Sequence, residues 1–188
     1  GTTCRTLTRE RFLDVMTEAL ARALRGIEAR VILVATQHAD VPLTRCLAAR
    51  LAGTPAEPRA IVTNVEHSPT DLKGMFRRVD LLFGMRLHAM ILASSELTPI
   101  CGLAYQPKVH HYYRRIGLPE RSLDFEQFDL DAIAAHLQNA WRDRAAIRAQ
   151  LATVMPDLRR RSRIAAALVA TLDRGEDLDA AIARLTGS

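Results

Sequence analysis

Between Val79 and Lys108 the chain reads VDLLFGMRLHAMILASSELTPICGLAYQPK, two short apolar runs set one helix apart. Leu81-Leu82-Phe83 has the length and composition of a buried strand, and Gly84 ends it. A helical pattern then runs from Leu87 to Glu96 and stops before Pro99, and Ile100-Cys101-Gly102-Leu103 is the next apolar run. Strand, helix and strand in so few residues leave one economical solution, two parallel strands joined by a crossover helix. Both loops at the strands' carboxyl ends then open on one edge of the sheet. That is the edge at which open α/β folds bind ligands. Gly84, Arg86 and His88 lie in the first of these loops and its helix start. Tyr105, Gln106, Pro107 and Lys108 follow the second strand. A guanidinium at a helix amino terminus suits an anion, because free N–H groups and the helix dipole already favour negative charge there. An imidazole two residues on suits general acid work.

The remaining chain repeats the alternation. Thr8 is a candidate N-cap for a helix carrying Phe12, Val15, Met16, Ala19 and Ala23, ended by Gly26. Val31–Ala35 reads as a buried strand, and the loop after it, with Gln37, His38 and Asp40, points to the same ligand edge. Pro42 opens a helix over 43–51, residues 60–63 form a third strand candidate, and Ser68 with Pro69 starts a helix that reaches about Arg78. Residues 109–116 suggest a brief helix or loop, and Ser122-Leu123-Asp124 a short edge strand. A long amphipathic helix is expected from Leu130 to about Val154, broken by Pro156 and resumed from Leu158 to Leu172, with a last short helix over 177–185. The fold class is therefore α/β, one Rossmann-like parallel sheet flanked by helices, with a helical tail over about 129–188.

The residue types in the central stretch resemble the polysaccharide pyruvyl transferase family. Gly84-Met85-Arg86-Leu87-His88-Ala89, Thr98-Pro99-Ile100 and Tyr105-Gln106-Pro107-Lys108-Val109 follow its G-x-R-x-H-A, P-[VI] and Y-[DN]-x-K-[VT] elements in order and spacing, with Gln106 standing where the last has Asp or Asn. A weaker likeness runs from the helix at Phe12 to near Leu172. The resemblance implies the carboxy-terminal, donor-binding half of a two-domain fold similar to that of the GT-B glycosyltransferases, with the site in the interdomain cleft. It implies phosphoenolpyruvate as donor substrate, a lipid-linked or nucleotide-linked saccharide diol as acceptor, and a pyruvate ketal with phosphate as products. His88 is then proton donor or phosphate ligand, and Arg86 and Lys108 bind the donor's anions. Tyr105 flanks the same pocket, Gly84 allows close approach, and Gln37, His38 and Asp40 contact the acceptor or support those that do. No cofactor and no metal is called for.

The resemblance also implies an amino-terminal acceptor domain not contained in these 188 residues, so the chain is expected to be inactive alone. In the family the first helix follows a strand carrying an arginine. Residues 1–5 are either its remnant or stand where it has been lost. The alternatives are a nucleotide-sugar glycosyltransferase or epimerase domain of the same architecture, and a non-catalytic domain that binds a partner. The first calls for a Gly-rich diphosphate turn, for which Gly84-Met85-Arg86 is a poor substitute.

Charge and cysteines narrow the setting. The formal net charge is +5, and only Lys73 and Lys108 among the basic residues are lysines. The arginines are interspersed with acids except at Arg159-Arg160-Arg161, and no basic–aromatic stripe appears, so nucleic acid is set aside as a partner. The arginine triplet belongs on a solvated helix face, with peripheral contact to anionic lipid as its alternative. Cys4, Cys46 and Cys101 are odd in number and far apart, which suits a reducing cytoplasmic setting better than a disulfide scaffold, while the acceptor that the resemblance implies would place the work at the inner membrane face.

Overall fold

The computed structural model describes residues 7–63, 66–175 and 177–186, with residues 185 and 186 described in backbone only. Cys4 lies outside them, as do residues 1–5, the stretch read either as the remnant of a strand or as standing where it has been lost. Helix α1 (Arg9–Ala23) starts where Thr8 accepts a hydrogen bond from the Arg11 N–H at 3.2 Å, and it buries Leu13, Val15, Met16, Ala19, Leu20 and Ala23. The turn after it uses Gly26 at φ +78° to feed β1 (Val31–Ala35). Helix α2 (Val41–Leu51) carries Pro42 in its first turn, and β2 is Pro58–Thr63. Helix α3 (Pro69–Phe76) has a capping box in which Ser68 and Asp71 satisfy each other's backbone N–H groups.

Then come β3 (Leu82–Gly84), α4 (Leu87–Ser95), β4 (Ile100–Ala104), α5 (Pro107–Arg115) and β5 (Ser122–Asp124). Strand β3 pairs with β4 and β4 with β5, all parallel, and Gly84 lies opposite Gly102. That pair sits unusually close. A Cβ on Gly102 would lie 2.1 Å from the Gly84 carbonyl oxygen and 2.7 Å from Met90 Cε, so only glycine permits this spacing. All five residues of β4 are buried, and the core gathers around them with Phe76, Met90, Tyr113, Ile133 and Leu137.

The fold is thus α/β, with parallel strands flanked by helices, but the sheet is in two pieces. Strand β1 pairs with β2 in a two-stranded sheet, β3–β4–β5 form the other, and no backbone hydrogen bond joins β1 to β3 among the described residues. Helices make up the difference, with α1 packed on α6 (Leu130–Arg142) and on α2, and α3 on α4.

The helical tail departs from expectation. Pro156 lies inside one helix, α7 (Arg144–Asp173), and the break falls earlier, at Asp143 between α6 and α7. A proline removes one N–H and crowds one carbonyl, which a long helix tolerates when its neighbours hold it. At the actual joint the Asp143 carboxylate accepts from Arg121 at 2.8 Å. Arg144 stacks over the Trp141 ring at 4.4 Å and donates to the Trp141 carbonyl. These contacts come from a distant loop and a neighbouring turn, with no glycine or proline to announce them. Helix α8 (Leu178–Thr186) closes the chain and packs on α7. Among the described residues no helix is long and apolar enough to cross a membrane.

Candidate functional site

Gly84 ends β3, and Arg86 is the N-cap residue of α4 in extended conformation, φ −82° and ψ 118°. Its guanidinium therefore stands at the carboxyl edge of the strands, beside the amino end of a helix. Asp40, in the single turn (His38–Asp40) that follows β1, meets it with both oxygens. Arg86 Nε donates to Oδ2 at 2.8 Å and Nη2 to Oδ1 at 2.5 Å. The Asp40 hydrogen bond lifts the Arg86 pKa above its usual value, against the effect of partial burial, and Tyr105 adds to the lift. Arg86, Asp40, Tyr105 and Gly84 all line one cavity of about 1420 Å³, whose lining also includes the apolar Phe12, Met16, Leu33, Leu81 and Phe83. A bidentate guanidinium held on one side by a carboxylate keeps its other N–H groups for an incoming anion.

Lys108 is elsewhere. Helix α5 begins at Pro107, which turns Lys108 out of the Tyr105 loop. It lies exposed on a shallow groove with Leu87, His111, Tyr112, Arg114 and Arg115. Tyr105 and Lys108 therefore do not flank one pocket, contrary to the expectation from their spacing. A helix started by proline within the motif accounts for the separation. The two sites abut through consecutive residues, since Arg86 lines the cavity and Leu87 the groove. His88 is exposed and lines neither, and Gln37 and His38 are likewise exposed outside the cavity. The structure thus joins Gly84, Arg86, Asp40 and Tyr105, and places Lys108, His88, Gln37 and His38 apart from them.

Some polar contacts had no sequence signal. His110 Nδ1 lies 2.9 Å from Ser122 Oγ, and its Nε2 is 3.5 Å from Asp124. The trio ties α5 to β5 outside both the cavity and the groove. Twelve residues separate His110 from Ser122, so only the crossover reveals the pairing. Glu96, an isolated acid in the sequence, is held by Lys73 at 3.0 Å and Arg77 at 2.6 Å. In the arginine triplet, Arg160 and Arg161 pair with Asp157 and Arg159 donates to the Ser95 carbonyl, as suits a solvated helix face. No three His, Cys, Asp or Glu side chains gather as a metal site among the described residues. The chain matches no family model, and comparison with curated proteins and with solved structures finds no match.

Proposed function

We propose that this domain binds phosphoenolpyruvate and is the donor-binding part of a pyruvyl transferase that builds ketals on a sugar diol of a cell-surface polysaccharide. One observation carries the proposal: Arg86, inside the Gly84–Ala89 motif, is held by Asp40 at the amino end of α4, on the carboxyl edge of a parallel strand. Such a position offers a rigid cation and free N–H groups to a small, multiply charged acid.

In this proposal Arg86 takes the donor's carboxylate or phosphate, and Lys108 reaches the phosphate from the adjoining groove as a point charge. The methylene carbon gains a proton, a role the resemblance gives to His88 although that side chain lines neither the cavity nor the groove, and a sugar hydroxyl adds to the carbon bearing the phosphate. Phosphate then leaves with cleavage of its bond to that carbon, and the second hydroxyl closes the ketal. Of the two hydroxyl protons, one balances the proton placed on carbon and the other leaves with phosphate. Tyr105 shares the cavity mouth with Arg86 and hydrogen-bonds the bound acid. The acceptor is a saccharide carried on lipid or nucleotide, which sets the work at the inner face of the cytoplasmic membrane.

Calorimetric titration with phosphoenolpyruvate, beside uridine diphosphate, tests this directly. Saturable binding of the former alone, lost in Arg86→Ala, supports the proposal. Preferential nucleotide binding replaces it with a glycosyltransferase or epimerase domain, and binding of neither removes the donor assignment from these residues.

A further inference from the structure

Helix α5 carries its charge on one side. Val109 and Tyr113 are buried against the core, which fixes how the helix is turned. The exposed side holds Lys108, His111, Arg114 and Arg115 at helical spacing, a stripe about 10 Å long at a rise of about 1.5 Å per residue. None of these four side chains has a hydrogen-bond or ion-pair partner among the described residues. Elsewhere Arg22 pairs with Asp131, Arg77 with Glu96 and Arg161 with Asp157. Around α5 such pairing is scarce because no Asp or Glu occurs from residue 97 to residue 119. Asp124, across on β5, meets His110, which is not part of the stripe. Like charges one turn apart repel, so the stripe weakens the helix until an anion faces it.

The shape of the surface selects the anion. The groove between α5 and the start of α4 is shallow and open to solvent. A single phosphate on it meets one or two cations and keeps much of its water, whereas an extended layer of phosphates meets the whole stripe. Apolar groups lie beside the charges. Leu87 and Tyr112 line the same groove, and Ile91, one turn on from Leu87 along α4, is 38% exposed. The Tyr112 hydroxyl is held by Ser94 of α4, which joins the two helices into one surface. Nucleic acid offers nothing to an exposed isoleucine, and a half-buried tyrosine held this way is not free to stack on a base. A bilayer offers headgroup phosphates to the cations and its acyl boundary to the apolar groups.

We propose that α5, with the exposed edge of α4, docks on an anionic lipid bilayer. This face holds a bilayer whether or not the neighbouring cavity takes phosphoenolpyruvate.

Cosedimentation of the 188-residue chain with vesicles tests this. Vesicles of equal parts phosphatidylglycerol and phosphatidylcholine should carry the protein down, and phosphatidylcholine alone should not. Arg114→Ala with Arg115→Ala should weaken that binding about thirtyfold. Arg160→Ala with Arg161→Ala removes the same charge from side chains already paired with Asp157, and should change it less than about threefold. Arg114→Lys with Arg115→Lys should bind like the wild type, because headgroups answer to charge and do not need a guanidinium fork. Lys108 stays in place in every variant. Equal loss from both alanine pairs assigns the binding to net charge and overturns the proposal, as does failure to bind the anionic vesicles. Retention of duplex DNA in place of the vesicles also overturns it and gives the stripe to nucleic acid.

Discussion

Strands β1 and β4 invert what their sequences suggest. Val31-Ile32-Leu33-Val34-Ala35 is the more apolar and more β-branched of the two, yet only Ala35 is buried and Ile32 remains 39% exposed. Ile100-Cys101-Gly102-Leu103-Ala104 contains a glycine and a cysteine, and every residue is buried. Hydropathy records what a strand needs to cover, whereas burial records what its neighbours cover. Strand β4 has a strand on each edge and helices over it, while β1 has one partner and an open slot.

The sharpest way to break the comparison is to damage β4 at its tightest point. Gly102→Val drives a side chain into the Gly84 carbonyl, and a loss of about 3 kcal/mol or more is expected in urea unfolding. Gly84→Ala, whose Cβ meets Leu82 at an ordinary 3.4 Å, should cost under about 1 kcal/mol. A mild Gly102 variant would mean that the two strands are not held this close. Next come matched leucines. Leu103→Ala in β4 should cost about 2–5 kcal/mol, and Leu33→Ala in half-exposed β1 clearly less than that range. Equal costs would show that β1 is as covered as β4 in solution.

At the site, Asp40→Asn keeps the shape of the pair but removes its charge. Phosphoenolpyruvate should then bind about tenfold more weakly, because Arg86 loses its fixed orientation, a difference of about 1.4 kcal/mol. Tighter binding would mean that Asp40 competes with the donor and does not present Arg86 to it.

The smallest effect expected is on acid stability. Burial holds His136 below the usual histidine pKa, partly offset by its hydrogen bond to the Arg121 carbonyl at 3.1 Å. The unfolded chain therefore takes up that proton first. The contribution is complete above about pH 6.5 and fades below it. Burial pushes Glu96 up, but Arg77 and Lys73 outweigh it, so its pKa lies below the usual carboxylate range. Its stabilisation is present above the ordinary glutamate value and disappears as pH falls through the lowered one. Urea midpoints against pH should show an early decline that His136→Gln removes and a later one that Glu96→Gln shallows. A flat wild-type curve between neutrality and about pH 5.5 would sink the first assignment.

Most of the element order was legible because it rests on local signals. Thr8 and Ser68 cap helices as their positions suggest, Gly26 turns the chain, and Pro107 starts a helix at the point where loop and helix were both open. What escaped depends on partners remote in sequence. The Asp143 joint is held by Arg121, and Glu96 is held by residues about twenty positions earlier. The site divides the same way. Placing Arg86, Asp40 and Tyr105 on one edge follows from strand–loop alternation alone, whereas the division between cavity and groove depends on how α5 leaves β4.

The Arg86–Asp40 pair also has a mechanical meaning. Asp40 follows β1 and Arg86 follows β3, so this ion pair bridges the carboxyl ends of two strands that share no ladder bond. A clasp across a seam is a coupling element. Whatever anion draws Arg86 away from Asp40 loosens the seam, and whatever wedges the seam apart alters the affinity for that anion by the same factor.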